Sequence, residues 1–144
     1  MRRLYTDYDM RGRGNFVLKE GVLGELSELP NNCVYLKSVE GERIFNKSEI
    51  IYAESEGHRC TIHHNSGDYH IYVRLDDLDR TLGDTFLRVH QSFLVNMEYV
   101  NRISNYKLTL NSDIVLPVPK ARFKQVLRTY EKYQWAKVIG NSNE

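Results

Sequence analysis

The chain has 144 residues, 41% of them apolar and 27% charged, with a formal net charge of +1, which suits a single ordinary hydrophobic core and argues against disorder. No apolar run approaches the roughly 18 to 20 residues needed to span a bilayer, and the N-terminus, with Arg2, Arg3, Asp7, Asp9, Arg11 and Arg13, lacks the apolar stretch of a secretory signal. A cytoplasmic protein is expected, and Cys33 and Cys60, without paired C-x-x-C spacing, are expected as reduced thiols and not as a disulfide framework or zinc knuckle.

At the N-terminal end Val22, Leu23, Leu26 and Leu29 have helical spacing, although Gly21 and Gly24 each weaken a helix by about 1 kcal/mol relative to Ala. A short helix is predicted there. The turn-forming cluster Glu28-Leu29-Pro30-Asn31-Asn32 then marks a boundary. Residues 1–34 are read as an extension of unknown role, 35–135 as the folded domain and 136–144 as a tail. Within the domain, Val34–Val39, Glu42–Asn46, Ile50–Glu54, His58–His64, Tyr69–Arg74, Phe86–Val89 and Phe93–Val95 are short runs rich in Val, Ile, Tyr, Phe and Thr, separated by turn formers. Tyr99–Ile103, Leu108–Leu110 and Ile114–Val118 add three more. Asn65-Ser66-Gly67-Asp68 reads as a four-residue hairpin loop and Asn111-Ser112-Asp113 as a second turn, so antiparallel sheets are implied.

Two helices are predicted. Leu75, Leu78 and Leu82 recur at i, i+3 and i+7 and leave Asp76, Asp77, Asp79 and Arg80 as a solvated face, which assigns that helix to packing. The second runs from about Lys120 to Tyr133, with Phe123, Val126, Leu127 and Tyr130 on one stripe and Arg122, Lys124, Gln125 and Arg128 away from it. Pro117 and Pro119 remove two backbone donors and fix where the preceding strand stops.

A near-neutral balance argues against nucleic acid, but the average hides an asymmetry. Residues 35–95 hold seven Lys or Arg against ten Asp or Glu, whereas residues 96–144 hold eight against four. Segregated charge of this kind can present a basic stripe to phosphates while an acidic face stays in water. Catalysis finds no support, because the sequence has no nucleophile elbow, glycine-rich phosphate loop or paired-carboxylate spacing. Nor is a metal or other cofactor expected. A four-residue loop would set His63 opposite His70, but two ligands make a weak site and surface polar residues are the better reading.

The run Phe86-Leu87-Arg88-Val89-His90-Gln91-Ser92-Phe93-Leu94-Val95-Asn96 closes two apolar runs around a cation, an imidazole, an amide and a hydroxyl. It resembles the signature F-x-R-x-H-x-S-x-x-V-N of the LytTR family, bacterial DNA-binding domains of transcriptional regulators, at every fixed position. The resemblance extends from about residue 35 to 132. Upstream it takes in Glu49-Ile50-Ile51-Tyr52-Ala53-Glu54-Ser55, His58-Arg59 and the Leu75-Asp76-Asp77-Leu78 helix. Downstream, Leu116-Pro117-Val118-Pro119-Lys120 stands where the family usually has proline, valine, serine and arginine. The resemblance implies a mainly β fold of elongated antiparallel sheets with two helices packed between sheets. Many family members carry a phosphoacceptor receiver domain, for which 34 residues are too few, so a stand-alone domain is expected.

The family resemblance further implies that loops, and not a helix, enter the DNA groove, and that base contacts come from three segments. Carried onto this chain, these are the His58-Arg59 turn, the His90-Gln91 knot and Lys120 at the foot of the last helix. The chemistry agrees, since an amide such as Gln91 can pair bidentately with adenine, while Arg59 or Lys120 can pair with guanine. Arg88, Arg122, Lys124 and Arg128 are expected on phosphates. Against these stand blander roles: His90 tying its loop to a neighbour, Arg88 in an ion pair, Asn96 as a turn former, and the Arg122, Lys124 and Arg128 face as ordinary solvated charge. The partner expected is double-stranded DNA, bound as a homodimer, at least on paired direct repeats. The alternative is a protein-interaction module or antagonist on the same fold, with a regulatory protein as partner and weak DNA binding.

Overall fold

The computed structural model describes residues 32–142; the helix expected around Val22 to Leu29 lies outside them. All ten predicted strands form: β1 (Cys33–Ser38), β2 (Gly41–Asn46), β3 (Ile50–Glu56), β4 (Arg59–His64), β5 (Gly67–Ile71), β6 (Phe86–His90), β7 (Phe93–Asn96), β8 (Val100–Ser104), β9 (Lys107–Leu110) and β10 (Val115–Pro117). The two helices are α1 (Leu75–Leu82) and α2 (Lys120–Ser142). Strands β1 to β7 make a seven-stranded sheet in the order β2-β1-β5-β4-β3-β7-β6, and β8 to β10 make a three-stranded sheet in the order β10-β9-β8. Every pairing is antiparallel.

Alternation along the strands sends side chains to two cores. From strands β3, β7 and β6, Ala53, Leu94 and Phe86 point to one face of the large sheet, where Leu75, Leu78 and Leu82 of α1 cover them. Tyr52, Val95 and Val89 point to the other, where they meet Val100, Leu108, Leu110 and Leu116 of the small sheet and Val126 of α2. The β3-β7-β6 part of the large sheet is therefore covered on both faces. The helices divide between those faces: α2 shares the core between the sheets, and α1 lies across the large sheet on the far side. Each of the three α1 leucines is nearly or fully buried, which stabilises by about 1.5 to 3 kcal/mol per side chain. Gly83 ends the helix at φ +86°, a conformation that a β-carbon would strain.

Two asparagines make matching corners. Asn46 accepts from the Ser48 amide at 3.0 Å, and Asn96 accepts from the Glu98 amide at 3.0 Å, each starting a single 3₁₀ turn. Asn96 is fully buried and also donates to the carbonyl oxygens of Ile50 (2.9 Å) and Lys47 (3.3 Å). The turn former expected at this position is thus also a bolt between β7 and the start of β3.

Two sequence expectations change. The β4–β5 hairpin closes over Asn65-Ser66, with Gly67 at φ +134° opening β5, so His63 pairs with Asp68 and His70 with Thr61. His63 and His70 do not face each other. Instead His63 stacks on Tyr52 with ring centres 4.2 Å apart and holds Asp68 at 2.9 Å and Glu54 at 3.2 Å. The last helix continues to Ser142, nine residues past Tyr133, taking in most of the expected tail. Cys33 and Cys60 are free thiols; Cys60 is buried, donates to the Val73 carbonyl and has its thiol pushed up to about 12 by burial, which keeps it protonated and unreactive.

Candidate nucleic-acid interface

Strand β7 pairs with β3 on one side and with β6 on the other, so β3 and β6 run the same way and their turns emerge at the same end of the sheet. The Glu56-Gly57-His58-Arg59 turn and the Gln91-Ser92 turn are tied together there, the Ser55 amide donating to the Ser92 carbonyl at 2.9 Å. The main-chain bond makes two hairpin tips one surface. His58, Arg59 and Gln91 are all exposed on it, and the side chains of His58 and Gln91 have no polar partner among the described residues.

The backbone of the Gln91 tip is held by its neighbours. Register slips between Arg88 and His90, leaving Val89 bulged and fully buried in the inter-sheet core. Bulges bend a strand and re-aim its side chains. Arg88 then folds back along the bend: its Nε donates to the His90 carbonyl at 3.0 Å, one terminal nitrogen to the Gln91 carbonyl at 2.6 Å, and the other to the Asp76 carboxylate of α1 at 2.7 Å. Arg88 donates its hydrogen bonds to the protein itself, and its side chain is 19% exposed. The hydrogen bond and positive charge from Arg88 hold the Asp76 carboxyl below the usual carboxylate range.

His90 completes the knot. Its Nδ1 accepts from the Ser92 amide at 2.9 Å, and its ring lies 5.2 Å from that of Phe93. An accepting Nδ1 puts the proton of the neutral ring on Nε2, which has no partner among the described residues. One edge of this imidazole is structural and the other is a donor available to a ligand.

Lys120 begins α2, beside the β8–β9 turn. That turn places Asn105 (φ +53°) and Tyr106 (φ +61°) in the left-handed region, an unfavourable place for a tyrosine. Tyr106 is anchored there by a ring contact with Phe123 at 4.8 Å, and its carbonyl accepts from the Val118 amide at 2.9 Å. Further along, the Tyr130 hydroxyl bonds the Val100 carbonyl at 3.3 Å. The start of the helix is thus fixed by two aromatic rings and its middle by a hydrogen bond.

Lys120, Lys124, Arg128 and Lys132 follow at i+4 intervals and are all exposed. They form one ridge about 18 Å long at 1.5 Å per residue, and none of the four makes an ion pair among the described residues. Arg122 is half-buried and off this ridge. Two residues here escape the sequence reading. Lys132 extends the ridge, and its i+4 spacing from Arg128 is the signal that could have found it. Asp76 belongs to the Gln91 tip although it looks like solvated charge, and no local spacing announces a contact with a residue twelve positions away.

Comparison with known proteins bears on the family and the fold. The LytTr DNA-binding domain family matches residues 42–131. The transcriptional regulatory protein NatR of Bacillus subtilis is 31% identical over 77 residues, which cover 53% of this chain and 33% of NatR. The sensory transduction protein LytT of the same organism is 30% identical over 89 residues, covering 58% of this chain and 37% of LytT. The chain thus spans about a third of the length of these curated relatives. A solved LytTr DNA-binding domain from Bacillus cereus superposes with a TM-score of 0.57 at 21% identity, covering 69% of this chain and 95% of that domain, which supports the fold.

Proposed function

The chain belongs to the LytTr DNA-binding domain family, and from that premise we propose that it is a transcriptional regulator that reads duplex DNA through its loops. The observation that carries the proposal is the Gln91 tip: a backbone fixed by Arg88 and His90, presenting an amide with no partner among the described residues. An amide carried on a held backbone can pair bidentately with an adenine edge in the major groove at the cost of ordering its side chain alone. Exposed His58 and Arg59 share the surface, and the His90 Nε2–H adds a donor to it. We assign Lys120 to a guanine or an adjacent phosphate, Lys124 and Arg128 to phosphates, and Arg122 to a flanking phosphate within reach of its long side chain. Arg88, whose hydrogen bonds are satisfied within the protein, we assign to holding the tip. DNA as partner makes the bacterial cytoplasm its place of work.

One module of this size reads few bases, and specific affinity generally needs two modules on neighbouring turns about 10 bp apart. We therefore propose binding as a pair on direct repeats. The test is a gel-shift on duplexes carrying one or two copies of a selected site, at several salt concentrations. The proposal expects tighter binding to two copies than to one and a log–log salt slope of about 0.9 per neutralised phosphate. Equal affinity for selected and random duplexes would refute sequence reading.

A second reading, as a protein-interaction module, is favoured by the far end of α2. There Trp135 is 66% exposed, Val138 56% and Ile139 42%, a run of apolar surface on a helix otherwise charged. A regulatory protein could cover such a face. Trp135→Glu separates the readings: it leaves DNA binding by one module unchanged and abolishes partner capture only if the second reading holds.

A further inference from the structure

We infer that Asp76, on a helix otherwise devoted to packing, is a positioning residue for the DNA-reading tip, acting through Arg88. The inference rests on the reading of Gln91 as a base-contacting residue and adds to it the element that aims the tip. Arg88 alone could hold the His90 and Gln91 carbonyls, but a guanidinium beside DNA has a competing destination. Phosphate oxygens attract it more strongly than two neutral carbonyls do, since a phosphate adds a full negative charge and can take the guanidinium through two parallel N–H···O bonds. Asp76, on the surface of α1, supplies the anion from the same chain, at 2.7 Å from the remaining terminal nitrogen. With that nitrogen satisfied, Nε and the other terminal nitrogen stay on the two carbonyls at 3.0 and 2.6 Å.

The anion is itself well mounted. Asp76 sits in the first turn of α1, between the buried Leu75 and the fully buried Leu78, so its backbone moves only with the core. A carboxylate is also favoured there by the helix dipole. The neighbouring Asp77 contacts Arg80 on the same helix and does not reach Arg88. Two adjacent aspartates therefore have separate tasks: Asp77 pairs within α1, and Asp76 reaches across to the strand that carries the reading tip.

The test compares Asp76→Asn with Asp77→Asn in the full chain. Two amides report on the tip without DNA: Ser92, which donates to His90 Nδ1, and Ser55, which donates to the Ser92 carbonyl. Asp76→Asn is expected to speed hydrogen exchange at both about tenfold while the core amide of Leu94 keeps its rate. It is also expected to weaken binding to the preferred duplex about tenfold, the size of one lost charged hydrogen bond, and to leave binding to random duplex within about twofold. Asp77→Asn should change none of these. Asp76→Glu should recover most of the loss, and Asp76→Asn added to Arg88→Lys should cost less than it does alone. Asp76→Asn behaving like Asp77→Asn would overturn the proposal, as would equal acceleration at Leu94. Should the parent protein show no preferred duplex, the reading of DNA fails instead, and the exchange rates at Ser92 and Ser55 alone decide whether Asp76 holds the tip.

Discussion

Helix α1 and helix α2 both carry exposed charge, and they use it in opposite ways. On α1, Asp77 meets Arg80 and Asp76 meets Arg88. On α2, Lys120, Lys124, Arg128 and Lys132 stand in a row with no ion-pair partner among the described residues. Four like charges at i+4 spacing repel one another and cost a helix a few tenths of a kcal/mol per pair. Among the described residues no ion pair offsets that repulsion, whereas a line of phosphates would. Pairing, and not charge count, separates the cations that hold this protein together from those left to hold something else.

The sharpest challenge to that division is Arg88→Ala. If Arg88 is internal architecture, the substitution strands two carbonyls and a carboxylate, lowering unfolding free energy by about 2 kcal/mol with an unchanged denaturant slope. Urea titration measures this, and loss of DNA affinity without loss of stability would move Arg88 to the group of α2. Next in size is Gln91→Ala. It should cost about 1 to 3 kcal/mol on the preferred site, relax preference at one base pair and leave stability within about 0.5 kcal/mol. A binding assay over all single-base variants of the site would reveal which base pair is affected.

For the ridge itself, Lys124→Ala should weaken binding to every duplex alike and reduce the salt slope by about 0.9, with stability within about 0.5 kcal/mol. A changed base preference would assign Lys124 to direct readout. Lys120→Arg should hold or tighten binding if Lys120 faces a guanine, because the planar fork matches that edge better than an ammonium. The smallest expected effect is on pH dependence. Asp76 has its folded pKa below the unfolded value, so its contribution is complete above the ordinary carboxylate range and is lost as pH falls through the lowered folded pKa. In acid, denaturation midpoints of the parent and Asp76→Asn should therefore converge.

The ten strands were legible because β-branched and aromatic runs alternate with turn formers, and α1 because its three leucines keep helical phase. The β4–β5 turn was not. Asn65, Ser66, Gly67 and Asp68 are all turn-forming types, yet only the first two make the turn, and Asp68 is drawn into the ladder opposite His63. Length misled at α2 for a related reason. The apolar stripe from Phe123 to Tyr130 ends where the core ends, and the helix continues for lack of any breaker before Gly140. At the site, the residues facing outward, His58, Arg59, Gln91 and Lys120, were all nameable from the family pattern. For Arg88 the sequence offered an ion pair beside a phosphate contact, but not that two of its donors turn back on its own loop, nor that the ion-pair partner lies on a helix whose periodicity signals only packing.

Strand β6, which leads into the reading tip, is also the last strand of the seven-stranded sheet. An edge strand is a standing invitation to strand addition and aggregation. Here the Val89 bulge interrupts the straight run of backbone groups, and α2 packs against the strand. The kink that aims Gln91 outward thus also spoils β6 as a template for another chain. At this edge, two copies lying side by side on a DNA duplex would meet through side chains, free to part again, instead of fusing into one continuous sheet.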